Sequence, residues 1–259
     1  MVDSNLILYE NCKNIAIDAG LLIENSKNTK FKIIRKSKRE LVTEIDLQVQ
    51  RLISERLKFV CDYPIYFEED KTDGLTNPPA EYLVVDPIDA THNYIAGLPF
   101  YNVSIGFVQN GNIIFGIIYF PNLNEIYHAF KNKGAFKGDK KITVSINTSL
   151  EKAIIAYDNQ FHLSESIIKN FQKLVVKAFT TRILGSASQD ACFVAEGVLD
   201  ARVWNLTKVF DIIAGAIIVE EAGGVVSDFN GEPINFLSAE KVIMSSYGVQ
   251  EELLDLLDD

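Results

Sequence analysis

The sequence predicts an α/β or α+β fold, because helix-like and strand-like segments alternate along the chain and a strong antiparallel hairpin signal stands near its middle. Length is the third observation. The 259 residues suffice for one large domain or two closely packed halves around a sizeable core. Composition agrees: 47% hydrophobic residues, among them 16 Phe and 10 Tyr, against 23% charged give the chain enough apolar surface to order itself. No internal repeat or low-complexity segment is evident.

The first element is a helix, since Leu6, Ile7, Ile15, Ala16, Ala19, Leu22 and Ile23 recur at roughly helical spacing. Residues 30–39 then carry six Lys or Arg in ten positions. They read as a solvated strand or loop, or as the source of a cation, Lys36 or a neighbour, that leans toward an anionic substrate. A second helix places Ile45, Val49, Leu52, Ile53 and Leu57 on one side. Thr43 precedes or opens it, and Asp46 falls in its first turn, where the helix dipole favours an acid. Residues 63–67 form a short strand that ends at Glu68-Glu69-Asp70. The stretch KTDGLTNPP (71–79) is a surface excursion. EYLVVDP follows as a strand stopped by Pro87, with Asp86 exposed at its end.

Three strands come next, FYNVSIGFVQ, NIIFGIIYF and NEIYHAF, parted by Asn110-Gly111 and Pro121-Asn122, so an antiparallel sheet is expected. GAFKGDKKI reads as the boundary between an N-terminal α+β half, residues 1–140, and a C-terminal α/β half, residues 141–259. KAIIAY is a strand and ESIIKNFQKLVVKAF a helix. Ala187, Ala191, Val194 and Ala195 mark a closely packed helix, and residues 199–203 a short strand. Another helix begins at Asp211 and is ended by Gly223-Gly224 before a strand. VIMSSY is the last strand and EELLDLLDD a terminal helix.

The net charge of -10, from 35 acidic and 25 basic residues, argues against a nucleic-acid polymer as partner. An acidic chain that handles an anionic substrate needs local positive charge, and metal ions are one source. Cys12, Cys61 and Cys192 are far apart and form no CxxC pair, so neither a disulfide framework nor a zinc site is expected, and a reducing, cytoplasmic setting is. The start MVDSNLILYENCKN lacks a basic lead, an apolar core and a cleavage site of the secretory kind. No apolar stretch is long enough to suggest a membrane span.

The informative string is EYLVVDPIDATHNY. Pro87 restricts Asp86 to an extended conformation and forces a turn. Asp86 and Asp89 can then converge on one point, where two carboxylates repel unless a cation lies between them. Oxygen-only ligands favour magnesium, with manganese as a substitute. Residues 89–94 read as a short helical turn whose free amides face a bound anion. A purely structural Asp-Pro turn remains the alternative, but Asp46, Glu68 and Asp211 add further acids at element boundaries.

Taken in order, LVTEIDLQVQ, YFEED, VVDPIDATHNYIAGLPFYNVSIGF, GIIYFPNLNEIYHAFKNKGAF, LGSASQDACFVAEG and DIIAGAIIVEEAGG resemble the inositol monophosphatase family. That family lies within the lithium-sensitive, magnesium-dependent phosphatase superfamily that includes fructose-1,6-bisphosphatases. The resemblance spans most of residues 5–250 and implies a layered α-β-α-β-α fold. It also implies a homodimer, lithium inhibition and a small phosphorylated metabolite as substrate. By matching position, Glu68, Asp86 and the Ile88 carbonyl would hold one Mg2+, and Asp86, Asp89 and Asp211 a second. Glu68 would help hold a weaker third. Thr91 and Asp46 would bind the attacking water and relay its proton, and the Ala90 and Thr91 amides would hold phosphate oxygens. Glu69 is expected behind the ligands or facing solvent. Water would attack phosphorus directly, without a phosphoenzyme.

Departures from the family pattern concern the substrate. Ala90 replaces the usual Gly after the second Asp, and is expected to adopt helical dihedrals and still offer its N–H. His92 follows Thr91 and borders the site, while His128 and His162 are expected to be structural. Phe210 precedes Asp211 in place of Trp. Trp204 stands where inositol-selective members often have Glu, either stacking on a substrate face or simply packing. Lys208 or Arg202 would meet a second phosphate if the chain resembles the branch acting on both inositol phosphates and fructose-1,6-bisphosphate. Ser186 and Ser188 read as packing or helix-start residues. Neither an Asp-x-Asp pair nor a GxxxxGK[ST] loop occurs. The expected function is hydrolysis of inositol 1-phosphate or a related sugar monophosphate. Fructose-1,6-bisphosphate, 3′-phosphoadenosine 5′-phosphate and histidinol phosphate are alternatives, and a regulatory or assembly protein on the same scaffold is the non-enzyme one.

Overall fold

The computed structural model describes residues 4–27, 29–38, 40–70, 75, 77–238 and 240–257. Arg39 of the basic stretch, most of the 71–79 linker and the last two residues of the terminal helix lie outside them. The chain runs α1 (Ser4–Ser26), β1 (Ile33–Arg35), β2 (Leu41–Thr43), α2 (Glu44–Leu57), β3 (Ile65–Phe67), β4 (Glu81–Asp89) and α3 (Thr91–Ala96). There follow β5 (Asn102–Gln109), β6 (Asn112–Phe120), β7 (Glu125–Phe130), β8 (Gly134–Lys137), β9 (Lys140–Lys141), β10 (Ile154–Tyr157) and α4 (Glu165–Lys177). The last elements are β11 (Thr180–Arg182), α5 (Ala187–Ala195), β12 (Ala201–Trp204), α6 (Val209–Glu221), β13 (Val225–Ser227), β14 (Val242–Ser245) and α7 (Tyr247–Leu256).

These elements build the layered α-β-α-β-α sandwich. A seven-stranded sheet in the order β3-β4-β5-β6-β7-β8-β9 is antiparallel except for the β3–β4 pair. A five-stranded sheet in the order β11-β10-β12-β14-β13 is mixed, β10 running parallel to both neighbours. Helices α1 and α2 cover the outer face of the first sheet through Ile15, Ala19, Ile23, Val49 and Ile53. Helices α5 and α6 fill the space between the sheets, and α4 and α7 close the outer face of the second. The hairpin between β5 and β6 turns on Asn110 (φ 51°) and Gly111 (φ 75°), the pair of positive dihedrals that Asn-Gly supplies at least cost.

What lets α6 lie against the first sheet is the absence of side chains beneath it. Gly106 of β5 and Gly116 of β6 are paired across the ladder. A Cβ on Gly106 would meet Ile213 Cγ2 at 2.3 Å, and one on Gly116 would meet the Ala214 carbonyl oxygen at 2.4 Å. The two glycines form a saddle for the helix that carries Asp211. Helix α5 is pressed equally close onto α6, since a Cβ on Gly215 would stand 2.6 Å from that of Ala191.

Two local expectations are corrected. Pro87 does not stop its strand: β4 continues to Asp89, with a register shift against β5 between Asp86 and Asp89. A bulge is the place where a ladder tolerates the missing N–H of proline. Asp86 is accordingly inside the sheet, 2% exposed, and not at an open strand end. Helix α6 also begins two residues before Asp211, which places that acid in its first turn.

Candidate metal centre

The bulge in β4 delivers Asp86 and Asp89 to one spot, and the first turn of α6 brings Asp211 to it. One carboxylate oxygen from each of the three lies within 4.8 Å of the others. Glu68, just beyond β3, adds its charge to theirs, repelling Asp86 and being repelled by Asp211. The Ile88 carbonyl borders the same turn and accepts from Thr91 Oγ1 at 3.1 Å.

Each acid is oriented by its own local bonds. Ile88 N–H donates to Asp86 Oδ1 at 3.0 Å, and Lys208 N–H to Asp211 Oδ2 at 3.1 Å. Asp89 Oδ2 is held by Ser186 Oγ, by Asn102 Nδ2 at 2.8 Å and by the Ser188 N–H at 3.2 Å. Asn102 and this role of Ser186 were not anticipated from sequence. Ser186 does cap α5 as expected, accepting from Gln189 N–H, and the Ser-x-x-Gln spacing is the signal that marks it. Asn102, inside an ordinary strand pattern, carries no such signal.

Asp46 and Thr91 meet as the resemblance implied. Thr43 caps α2, its hydroxyl accepting from the Ile45 and Asp46 amides. In return Asp46 Oδ2 accepts from Thr43 N–H at 2.8 Å and Thr43 Oγ1 at 2.5 Å. That leaves Asp46 Oδ1 for Thr91 Oγ1, 3.0 Å away. Ala90 and Thr91 open α3, but Ala90 is left-handed, at φ 64° and ψ 48°. The expected helical dihedrals are thus replaced by their mirror region, which suits Gly and strains Ala.

At the rim, Lys36 pairs with the buried carboxylate of Glu69. Lys208 Nζ stands 3.1 Å from Glu40 Oε1 and 3.8 Å from Glu68 Oε1, with more than half of its side chain exposed. His92 is exposed on the first turn of α3, and His162 is also exposed. His128 is buried between Tyr9 and the Gly138 carbonyl. Trp204 does not face a substrate. On β12 the alternation of side chains turns Ala201 and Val203 toward α4 and α7, and Arg202 and Trp204 into the middle layer. Trp204 is 2% exposed there, and Arg202, at 5%, is ion-paired with Asp190, so neither can meet a second phosphate or a sugar face.

The electrostatics call for a cation. Burial pushes the Glu68 carboxyl up to about 7, with Asp211 adding repulsion. Asp211 is pushed up to about 6 by burial and then by Asp89. Burial and the neighbouring acids hold Asp86 well above the ordinary range, and burial raises Asp89 despite its three donors. Burial works against the Lys208 charge, but Glu68, Glu40 and Asp211 outweigh it. A cluster of oxygens so disposed fits a hard divalent cation, which would relieve the mutual repulsion that Lys208 at the rim leaves.

Residues 6–258 match the family model described as Inositol monophosphatase family. The chain belongs to the inositol monophosphatase family. Among its curated relatives is the fructose-1,6-bisphosphatase/inositol-1-monophosphatase of Thermotoga maritima, 35% identical over 246 residues that cover 95% of this chain and 90% of that one. Inositol monophosphatase 1 of Sus scrofa is 30% identical over 262 residues, covering 95% and 93%. Among solved structures, an IMPase of Thermotoga maritima superposes with a TM-score of 0.86 at 31% identity over 96% of this chain and 95% of that one. For this inositol monophosphatase family member, the acidic cluster of Asp86, Asp89 and Asp211 is consistent with the metal-binding site typical of its kin, and phosphatase activity is the family's chemistry.

Proposed function

We propose that this chain is a magnesium-dependent phosphomonoester hydrolase acting on inositol 1-phosphate or a related sugar monophosphate. The observation that carries this reading is the convergence of Asp86, Asp89 and Asp211 in a chain that matches the family over nearly its whole length. Glu68, Asp86, Asp89, Asp211 and the Ile88 carbonyl would hold two or three Mg2+ ions, with Mn2+ as a substitute. When bound, the ions lower the pKa of an attacking water and neutralise charge on the leaving oxygen.

The chain's own groups supply the rest. Thr91 Oγ1 accepts a proton from the attacking water while its own proton passes to Asp46 Oδ1, 3.0 Å away. Thr43 keeps the other Asp46 oxygen occupied, so that carboxylate presents one free acceptor to the threonine. The Ala90 and Thr91 amides, at the opening of α3, would hold the phosphoryl oxygens. Burial raises the Asp46 carboxyl above its ordinary value, which suits it to take up that proton.

A second reading is fructose-1,6-bisphosphate. Two lysines, Lys36 and Lys208, flank the pit, and the position where inositol-selective kin often place a hydroxyl-binding Glu is the buried Trp204. Relatives named for both activities agree with it. Phosphate release from myo-inositol 1-phosphate and fructose-1,6-bisphosphate, by wild type and Lys208→Met, separates the two. The first reading expects higher kcat/KM for the inositol ester and little effect of the substitution. The second expects the reverse preference, with KM for the bisphosphate rising in the variant. Turnover of neither ester contradicts both.

A further inference from the structure

We propose that the buried Arg202–Asp190 ion pair is a positioning pair for the metal centre, locking together the two segments of the C-terminal half that reach it. The inference rests on the reading that Asp86, Asp89 and Asp211 hold a divalent ion. Arg202 is the one Lys or Arg among the described residues that is buried. Its Nε lies 3.3 Å from Asp190 Oδ2, with the side chains 6% and 1% exposed, and its guanidinium sits 4.7 Å from the centre of the Trp204 ring.

Asp190 lies one turn along α5 from Ser186, and its N–H donates to the Ser186 carbonyl at 3.2 Å. The start of that helix holds Asp89, through Ser186 Oγ and the Ser188 N–H. Arg202 lies on β12, which leads through residues 205–208 directly into α6 and Asp211. The pair thus joins the element that orients one ligand to the strand that delivers another. Because α5 rests on α6 at the Gly215–Ala191 contact, a displaced α5 has no room to move without carrying α6 along.

A purely space-filling role suits the pair poorly. A buried ion pair is commonly no more stabilising than apolar side chains of the same volume, and here neither Asp190 oxygen has a hydrogen-bond partner. Charge holds the contact, at 3.3 Å between two side chains sealed from solvent.

The test compares full-length wild type, Arg202→Met, the apolar double variant Asp190→Leu/Arg202→Met, and Arg202→Lys. Mn2+ affinity is measured by equilibrium dialysis, stability by thermal unfolding, and kcat and KM by phosphate release. Loss of residues behind metal ligands typically weakens binding by about 10–100-fold. Arg202→Met should lose stability and bind Mn2+ at least about tenfold more weakly. The double variant should regain the stability but not the affinity, with kcat reduced more than KM is raised. A double variant that binds Mn2+ within about twofold of wild type overturns the proposal, because a pair that only stabilises is replaced without loss. Should the double variant not fold, Arg202→Lys carries the same test. It keeps the charge that holds the contact while losing the planar fork, so it should recover Mn2+ affinity relative to Arg202→Met, and an affinity no better than that of Arg202→Met overturns positioning. Wild type that binds no Mn2+ overturns the metal reading itself, an outcome separate from any comparison among variants.

Discussion

Ala90 sits at φ 64° and ψ 48° immediately after a ligand of the proposed metal centre, and its partly buried methyl makes only a small contact with the core there. A left-handed L-residue costs about 1–2 kcal/mol, and the extra freedom of glycine in the unfolded chain returns about 0.4–1 kcal/mol of that. Ala90→Gly should therefore raise stability by about 0.5–1 kcal/mol, read by urea unfolding, with activity retained; a destabilised variant would contradict the strain. At this scale the converging acids were legible. Asp86, Asp89 and Asp211, which come together, and Asp46 and Thr91, which pair, all stand in motifs readable in order along the chain. The groups behind them were not, because a strand asparagine such as Asn102 looks the same in sequence whether it faces solvent or Asp89. Trp204 was ambiguous for the same reason, since alternation in a four-residue strand leaves its face undecided until the neighbouring layers are known.

At the scale of elements, the site depends on where α6 lies, and the Gly106–Gly116 saddle sets that. Gly116→Ala puts a methyl 2.4 Å from the Ala214 carbonyl oxygen and 2.8 Å from its Cα, backbone atoms that cannot rotate away. We expect a loss of about 1–3 kcal/mol, the usual range for overpacking, together with weaker Mg2+ binding because Asp211 moves with its helix. Calorimetric titration of the folded variant checks this, and unchanged Mg2+ affinity would mean that α6 is not placed by the saddle. The helices and the β5–β6 hairpin were readable from periodicity and from Asn110-Gly111, both local signals. The saddle was not, since a glycine in a strand announces close approach of something without saying what. Pro87 misled in the opposite direction: its local rule ends a strand, but the register shift beside it gives the ladder a place to pass.

Across the whole molecule, the middle of the sandwich gathers acids that the fold holds together at a cost. Glu68 and Asp211 titrate at about 7 and about 6, against ordinary values of 4.5 and 3.8, and Asp46, Asp86 and Asp89 are raised as well. The folded chain keeps these protons to higher pH than the unfolded chain does. Their contribution to stability is thus fully present below the ordinary values and is lost as pH rises through about 6 and 7. His128, lowered from 6.5 by burial, acts in the opposite direction but is one group against several. Metal-free protein should therefore unfold at a lower temperature near pH 8 than near pH 5, and Mg2+ should raise that temperature more at the higher pH. An Mg2+ effect independent of pH would speak against ions bound by these carboxylates.

The most direct measurement of the central claim is Mg2+-dependent phosphate release by wild type and by Asp89→Asn, purified side by side and both shown to be folded. Release that requires Mg2+ and falls in the variant by more than about 100-fold, the upper end of what losing a supporting residue costs, is the predicted result. Phosphate release that persists without divalent metal, or survives the loss of Asp89, would contradict it.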